Sequence, residues 1–400
     1  MTPSRRLFLR SGAGRSRGFT LIELLISMTI GLVLIIALGV IMSRFEQSKR
    51  QNSTTMDMAQ GTGYMAYDLD RQIRSAGSGM FVSKSATFGC PLAAWANGAQ
   101  ILPRLTAFPA PFGAVPANVR AIPIMVYPGI GQGGSDVIQV STFASGLSES
   151  PLQIQPNTVN VNSMRLFNTV GLRGGDLLML QESLLPCMIV QVAPGFVGTD
   201  SPILPLGGTR FSPAIGSAAL VAYGVTGAGN VMPIGNSNGN QPQVQLLGIN
   251  ANQQLVAYDA LQFSNLPNAD QPVPIAENVM DMRVLYGVDD NTDGVVDRWV
   301  LPTTAPYNPA TMNNNTIAAQ NAMSNIVAVR LSLIVRGDRI EKDEDARVAP
   351  SSFTMFTAVP ALQRVVAIPD QERRRNYRMV ELSIPIRNAI LSAPTRVLPP

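Results

Sequence analysis

The sequence predicts an α+β protein: a long N-terminal helix packed on a mostly antiparallel β-sheet head with long loops. Three observations carry that expectation. From Phe19 to Cys90 there is no proline, so a helix can run without the break that proline imposes. From residue 77 onward proline and glycine are frequent and apolar runs are short. Several of those runs alternate apolar and polar side chains, the period-two pattern of a half-buried strand.

Residues 1–18, MTPSRRLFLRSGAGRSRG, hold Arg5, Arg6, Arg10, Arg15 and Arg17 and no acid. Residues 19–42 follow as an apolar span whose 24 residues reach about 36 Å as a helix, enough for a hydrocarbon core of about 30 Å. Basic residues ahead of such a span predict a leader held in the cytoplasm and an exported remainder. Arg44, Lys49 and Arg50 on the far flank weaken that contrast without reversing it. A cleavable secretory signal would end in an A-x-A-like site, whereas SRFEQSKRQ follows Met42. Ser4 to Arg10 spells a twin-arginine export signal, but the apolar span starts too late and runs too long for one. Glu23 sits inside the span, where a carboxylate costs about 2.5–3.5 kcal/mol at a bilayer centre, so it points to function.

The helix should continue through residues 43–76, an exported half carrying Phe45, Met56, Tyr64, Met65, Leu69 and Ile73 on a polar background. Asp70 and Arg74 support it as an i,i+4 pair. Gly61 and Gly63 predict a weakened turn, and Gly77-Ser78-Gly79 a stop. Within the head, residues 77–400, strands are expected at Asp136–Thr142, Asp176–Leu180, Cys187–Val192, Ala219–Val225, Leu255–Ala260, Met282–Val288 and Ile326–Arg336. In the last, Val329, Leu331, Leu333 and Val335 should face a core while Arg330, Ser332 and Arg336 face out. Met379–Ile386 is a further strand, with Pro385 marking an edge or an end. Ala276–Asp281 reads as a short helical turn.

Composition excludes several chemistries. The chain has no histidine, so His-ligated metal sites and Ser-His-Asp or Cys-His catalysis are closed. None of the three lysines closes a phosphate-binding loop. Gly235-Asn236-Ser237-Asn238-Gly239 spells a nucleophile elbow but lies in Asn/Gly-rich sequence with no base to serve it. No catalytic residue is assigned, and the chain reads as a structural protein rather than an enzyme. Arg373, Arg374, Arg375 and Arg378 could meet DNA phosphates. Asp370 and Glu372 beside them favour a salt-bridged loop instead, so DNA is not an expected partner.

Cys90 and Cys187 fall on the exported, oxidising side. There a bridge closing about a hundred residues contributes roughly 4–5 kcal/mol in the chain-entropy model; the alternative is two buried thiols. Asp289, Asn291, Asp293, the Val295 carbonyl and Asp297 occupy positions 1, 3, 5, 7 and 9 of a calcium loop, with Gly294 at its sharp turn. Position 12 is Val300 rather than glutamate, and no flanking helices are evident, so a true EF-hand is excluded. Two readings stay open: a bound Ca²⁺, or an Asp/Asn/Gly-rich hairpin turn between Met282–Val288 and Val295–Leu301.

Gly18-Phe19-Thr20-Leu21-Ile22-Glu23 resembles the type IV prepilin signature: a basic leader ending in glycine, then phenylalanine, with glutamate five positions into the mature chain. The resemblance implies a cut by prepilin peptidase between Gly18 and Phe19 and methylation of the new Phe19 amine. It also implies that this amine in one subunit pairs with Glu23 of a neighbour during assembly. Further on, Tyr67–Gly77, Ile275–Val279, Val284–Asp289 and Ile386-Arg387-Asn388 resemble the PilW type of minor pilin, whereas residues 91–250 match it poorly. That family helps to initiate a type IV pilus and sits near its tip, supporting twitching motility and adhesion. Its implied partners are other minor pilins, the major pilin, prepilin peptidase and the inner-membrane assembly platform. The implied location is the bacterial inner membrane, single pass, and then the extracellular pilus. Two other readings share the signature: a minor pseudopilin of a type II secretion system, and a calcium-dependent adhesin on a pilin stalk. Loss of the leader also removes five arginines, turning a formal charge of +4 into 25 bases against 26 acids. The basic character therefore belongs to membrane orientation rather than to an acidic partner.

Overall fold

The first helix has 54 residues, Leu21–Arg74. The computed structural model describes residues 18, 20–143, 150–199, 201–215, 218–262, 270–338, 340 and 349–393. It falls into two units, residues 1–56 and 57–400, described here separately. In the second unit the helix buries Thr62, Met65, Leu69, Ile73 and then Ala76, a stripe whose three- and four-residue steps keep it on one side. The weakened turn expected at Gly61 and Gly63 does not occur; the helix is continuous there. Each glycine costs about 1 kcal/mol of helix propensity. Burial of Thr62 and Met65 outweighs that, and the Thr62 hydroxyl donates to the Met58 carbonyl. The helix stops at Gly77, which takes φ +72°. A side chain there would also collide with Phe81 and Pro123. Asn388 Nδ2 donates to the Ser75 and Ala76 carbonyls (3.3 and 3.1 Å), satisfying acceptors that a helix end leaves open.

Three larger sheets and one long helix segment share a single core. The seven-stranded sheet runs Ala99–Leu102, Cys90–Ala96, Cys187–Gln191, Asp176–Gln181, Asn230–Asn236, Leu152–Gln153, with Arg120–Ala121 also paired to Cys90–Ala96. Its pairing of Cys90–Ala96 with Cys187–Gln191 is parallel, whereas the other strand pairs among the described residues are antiparallel. Leu177, Met179 and Ile189 face the main core. Their neighbours Leu178, Leu180, Met188 and Val190 face a second core with Met164, Leu204 and Tyr223. This is strand alternation with both faces covered.

The five-stranded sheet runs Val273–Ala276, Leu255–Asp259, Gln243–Ile249, Val137–Thr142, Ile124–Tyr127. The four-stranded sheet runs Arg298–Val300, Val279–Val288, Ile326–Arg336, Tyr377–Pro385. The strand expected at Ile326–Arg336 has those bounds, and Tyr377–Pro385 ends at its proline as an edge strand. Val329, Leu331, Leu333 and Val335 are buried as expected, but Ser332 is buried too and Arg330 is half-buried. The cause is a hairpin, Ser352–Met355 with Arg364–Ala367, which contributes Met355 to a third cluster over Leu285 and Ile334, joined by Phe356.

Two further expectations are corrected. Ala219–Val225 is not a strand; Leu220–Ala222 is a 3₁₀ turn that buries Leu220, followed by buried Tyr223. Ala276–Asp281 is not helical; Asn278 at φ +59° separates Val273–Ala276 from Val279–Val288. Pairing of these segments in two different sheets overrides their local helix propensity. Strands at Cys90–Ala96, Ile124–Tyr127, Asn230–Asn236 and Gln243–Ile249 were not expected.

Candidate assembly surface

In the first unit, Leu21–Glu46 is 26 residues long, with none of its most apolar stretch buried. At 1.5 Å per residue it measures about 39 Å, so by length and composition it can cross a membrane. Leu21, Ile22, Leu32, Val33, Ile35 and Leu38 are all more than half exposed. Exposure of that much apolar surface to water is strongly unfavourable. The helix therefore requires lipid or neighbouring apolar helices around it. Its few hydroxyls are already satisfied: Ser27, Thr29 and Ser43 each donate at 2.9 Å to the carbonyl three residues earlier. That local bonding lets them enter an apolar phase without an unpaired donor.

Thr20 starts the helix, its carbonyl accepting from the Glu23 and Leu24 N–H groups at 3.1 and 3.2 Å. Its hydroxyl accepts from the Glu23 N–H at 3.3 Å. Glu23 stands in the first turn, where the helix dipole favours a negative charge, and is exposed. Gly18 is described and exposed; Phe19 and the leader, including the twin-arginine-like stretch, lie outside the described residues.

In the head, Cys90 and Cys187 form a disulfide with Cα atoms 5.8 Å apart, closing a sequence separation of 97. The bridge joins the only parallel strand pair among the described residues, next to the Leu92–Cys187 register. Asp289 to Asp297 form a turn in which the carboxylates of Asp289, Asp293 and Asp297 meet the loop's own amides. Asp289 accepts from the N–H groups of Asp293 (3.2 Å) and Gly294 (2.6 Å). Asp293 accepts from Val295 (2.9 Å), and Asp297 from Asp290 (2.8 Å). Asn291 Nδ2 donates to Asp293 at 3.2 Å. Asp290 pairs with Arg298 at 2.6 Å, which holds its carboxyl below the usual range. Among the described residues no three acidic or cysteine side chains are gathered to hold a metal ion. The turn is thus satisfied by its own backbone.

Ser237 belongs to a turn after Asn230–Asn236, its N–H donating to Gly175 O (2.8 Å) and its hydroxyl accepting from Gln191 (3.1 Å). Nothing there resembles a nucleophile facing a base. Arg373 pairs with Asp370 (3.2 Å) and Arg375 with Glu372 (2.9 Å), the salt-bridged loop expected there.

One cluster was not anticipated. Arg283 lies buried between Asp281 (2.9 Å) and Asp136 (3.5 Å). Asp136 also accepts from the N–H groups of Gly129 and Val284, both at 3.0 Å. Burial raises the pKa of both carboxyls, and Arg283 opposes the rise. This clamp ties the loop before Val137–Thr142 to Val279–Val288, joining two sheets. A signal for it stood in the sequence: Asp281 and Arg283 are two apart in an apolar strand, hence on one face.

Comparison with known proteins places these parts. Residues 236–388 match the family described as Type IV Pilus-assembly protein W, and residues 14–39 match the prokaryotic N-terminal methylation motif. The first match contains the four-stranded sheet and the Arg283 side of the clamp; the second contains Gly18 to Glu23 and most of the apolar helix. No curated protein and no solved structure matches the chain.

Proposed function

We propose that the chain is a pilin of the PilW type, a minor pilin that helps to initiate a type IV pilus and stays near its tip; the matches to the PilW family and to the N-terminal methylation motif support this reading. The observation that carries this reading is the unburied apolar helix, beginning at a methylation motif and leading into a head that matches PilW. In this reading the peptidase cuts between Gly18 and Phe19 and methylates Phe19, while the apolar helix waits in the inner membrane with the head in the periplasm. Moving that helix from lipid into a bundle of pilin helices keeps its surface out of water throughout. A positive Phe19 amine on a neighbour meets Glu23, offsetting the cost of a carboxylate in an apolar core.

The neighbours are other minor pilins and the major pilin, and assembly takes place on the inner-membrane platform. Twitching motility and adhesion follow from a working pilus. The chemistry is mechanical, requiring no cofactor. Calcium on Asp289–Asp297 is a separate proposal, supported by the loop's spacing alone. A minor pseudopilin of a secretion system would share the processing motif, so deletion separates the two. Loss of surface pili and twitching with normal protein secretion is expected; loss of secretion with normal pili would overturn the pilus assignment.

A further inference from the structure

Most sheet edges in the head are short. The seven-stranded sheet ends in strands of four and two residues, and the five-stranded sheet in two strands of four. The four-stranded sheet ends in a strand of three on one side, but on the other in Tyr377–Pro385, nine residues in an unbulged register. Long, regular edges are what folded proteins normally avoid, because they template further strands.

The ladder defines which groups this edge presents. Ile386 N–H donates to Val327 O (2.8 Å) and Gly337 N–H to Asn376 O (2.6 Å), both continuing the register Ala328–Pro385 to Arg336–Tyr377. Bonded and non-bonded pairs alternate in an antiparallel ladder. Arg378, Val380, Leu382 and Ile384 therefore bond inward, and the main chain of Met379, Glu381 and Ser383 faces outward. Pro385, with no N–H to offer, falls on the outward set. Among the described residues no hydrogen bond takes the outward N–H or C=O of Met379, Glu381 or Ser383. Both sheet faces reach this rim half-covered, through Met379 on one side and Leu382 on the other. The rim is also cationic. Arg378 and Arg387 are exposed without an ion pair among the described residues, while Glu381 is engaged by Arg330 at 3.5 Å.

We propose that Tyr377–Pro385 accepts a strand from a different pilin subunit, an extended segment that carries carboxylates to meet Arg378 and Arg387. This is β-augmentation: main-chain bonds supply affinity, while charge and alternate side chains supply selection. It rests on the pilin reading. Pairing this edge with the same edge of a second copy would set two cationic rims against each other, so the donor is a different chain.

The test uses the full-length chain in cells making their own pilins, with a benzoylphenylalanine photo-crosslinker in place of Tyr377, the aromatic residue that opens the edge strand. The expected adduct, identified by mass spectrometry, is with another pilin through an acid-bearing extended segment. Ser383→Pro removes an outward N–H and should lower the adduct about tenfold, whereas Ser383→Ala should leave it unchanged. Arg387→Glu should lower it severalfold and Arg387→Lys should not, which decides the matter if the proline variant fails to fold. An adduct with a second copy, or one unaffected by Ser383→Pro and Arg387→Glu, overturns the proposal. So does the absence of any adduct in chain that has been cut after Gly18. Uncut chain without an adduct overturns the pilin reading itself.

Discussion

The four-stranded and seven-stranded sheets solve the same problem differently. The first has strands of ten, eleven and nine residues beside an edge strand of three, so its long neighbours hold one another through long ladders. The second uses strands of two to seven residues and needs a disulfide beside its parallel pair. Short strands bury less and close longer loops, so the covalent link offsets entropy that ladders alone would not. Long ladders leave the other sheet needing only a buried clamp to fix its neighbour.

The clamp should be the more sensitive of the two devices. Arg283→Ala leaves the buried Asp136 and Asp281 carboxylates without their cation and should cost about 3–5 kcal/mol, read by denaturant unfolding. A change below about 1 kcal/mol would mean the clamp is not holding the two sheets. Cys90→Ser with Cys187→Ser removes the staple and should cost about 2–5 kcal/mol. Loss of resistance to limited proteolysis should concentrate between residues 90 and 236, and uniform loss across the head would contradict the division drawn here.

These contrasts also explain what could be read in advance. Ile326–Arg336 is long and alternating, so its own residues define it. Asp176–Gln181 and Cys187–Gln191 were visible as apolar runs, but Cys90–Ala96 and Asn230–Asn236 contain proline, alanine or glycine and become strands only through distant partners. The hairpin that buries Ser332 lies some twenty residues beyond its target strand, and no local pattern announces it. The processing motif was legible because it is contiguous. The clamp was legible only in its Asp281 and Arg283 half, because Asp136 is 147 positions away from Arg283.

The five-stranded sheet offers a pH-dependent test between these extremes. Burial lifts the Asp259 carboxyl from its ordinary value to about 6, against the Leu261 and Val244 N–H groups and Arg210, which lower it. A raised acid pKa means the folded state holds its proton more tightly. Its contribution to stability is therefore greatest near pH 4 and is lost as pH rises through about 6. Asp259→Asn keeps an acceptor for both amides. It should flatten that slope and stabilise the head by about 1–3 kcal/mol at pH 7.5. An unchanged slope in thermal melts between pH 4 and 7.5 would remove Asp259 as its source.

The smallest effect is expected at Asp289–Asp297. Calcium proposed there from the loop's spacing should raise the melting of the head slightly, and melting that does not move when chelator replaces calcium would leave the turn held by its own amides. A calcium-dependent rise, abolished by Asp293→Ala, would put the ion in the loop.

The central claim is that the unburied helix belongs inside a filament. Mass spectrometry of pili sheared from cells tests it most directly. This chain is expected among the pilus proteins, in small amount, starting at methylated Phe19. Mature chain found only in membranes of a well-piliated strain, or chain still carrying residues 1–18 in the filament, would contradict it.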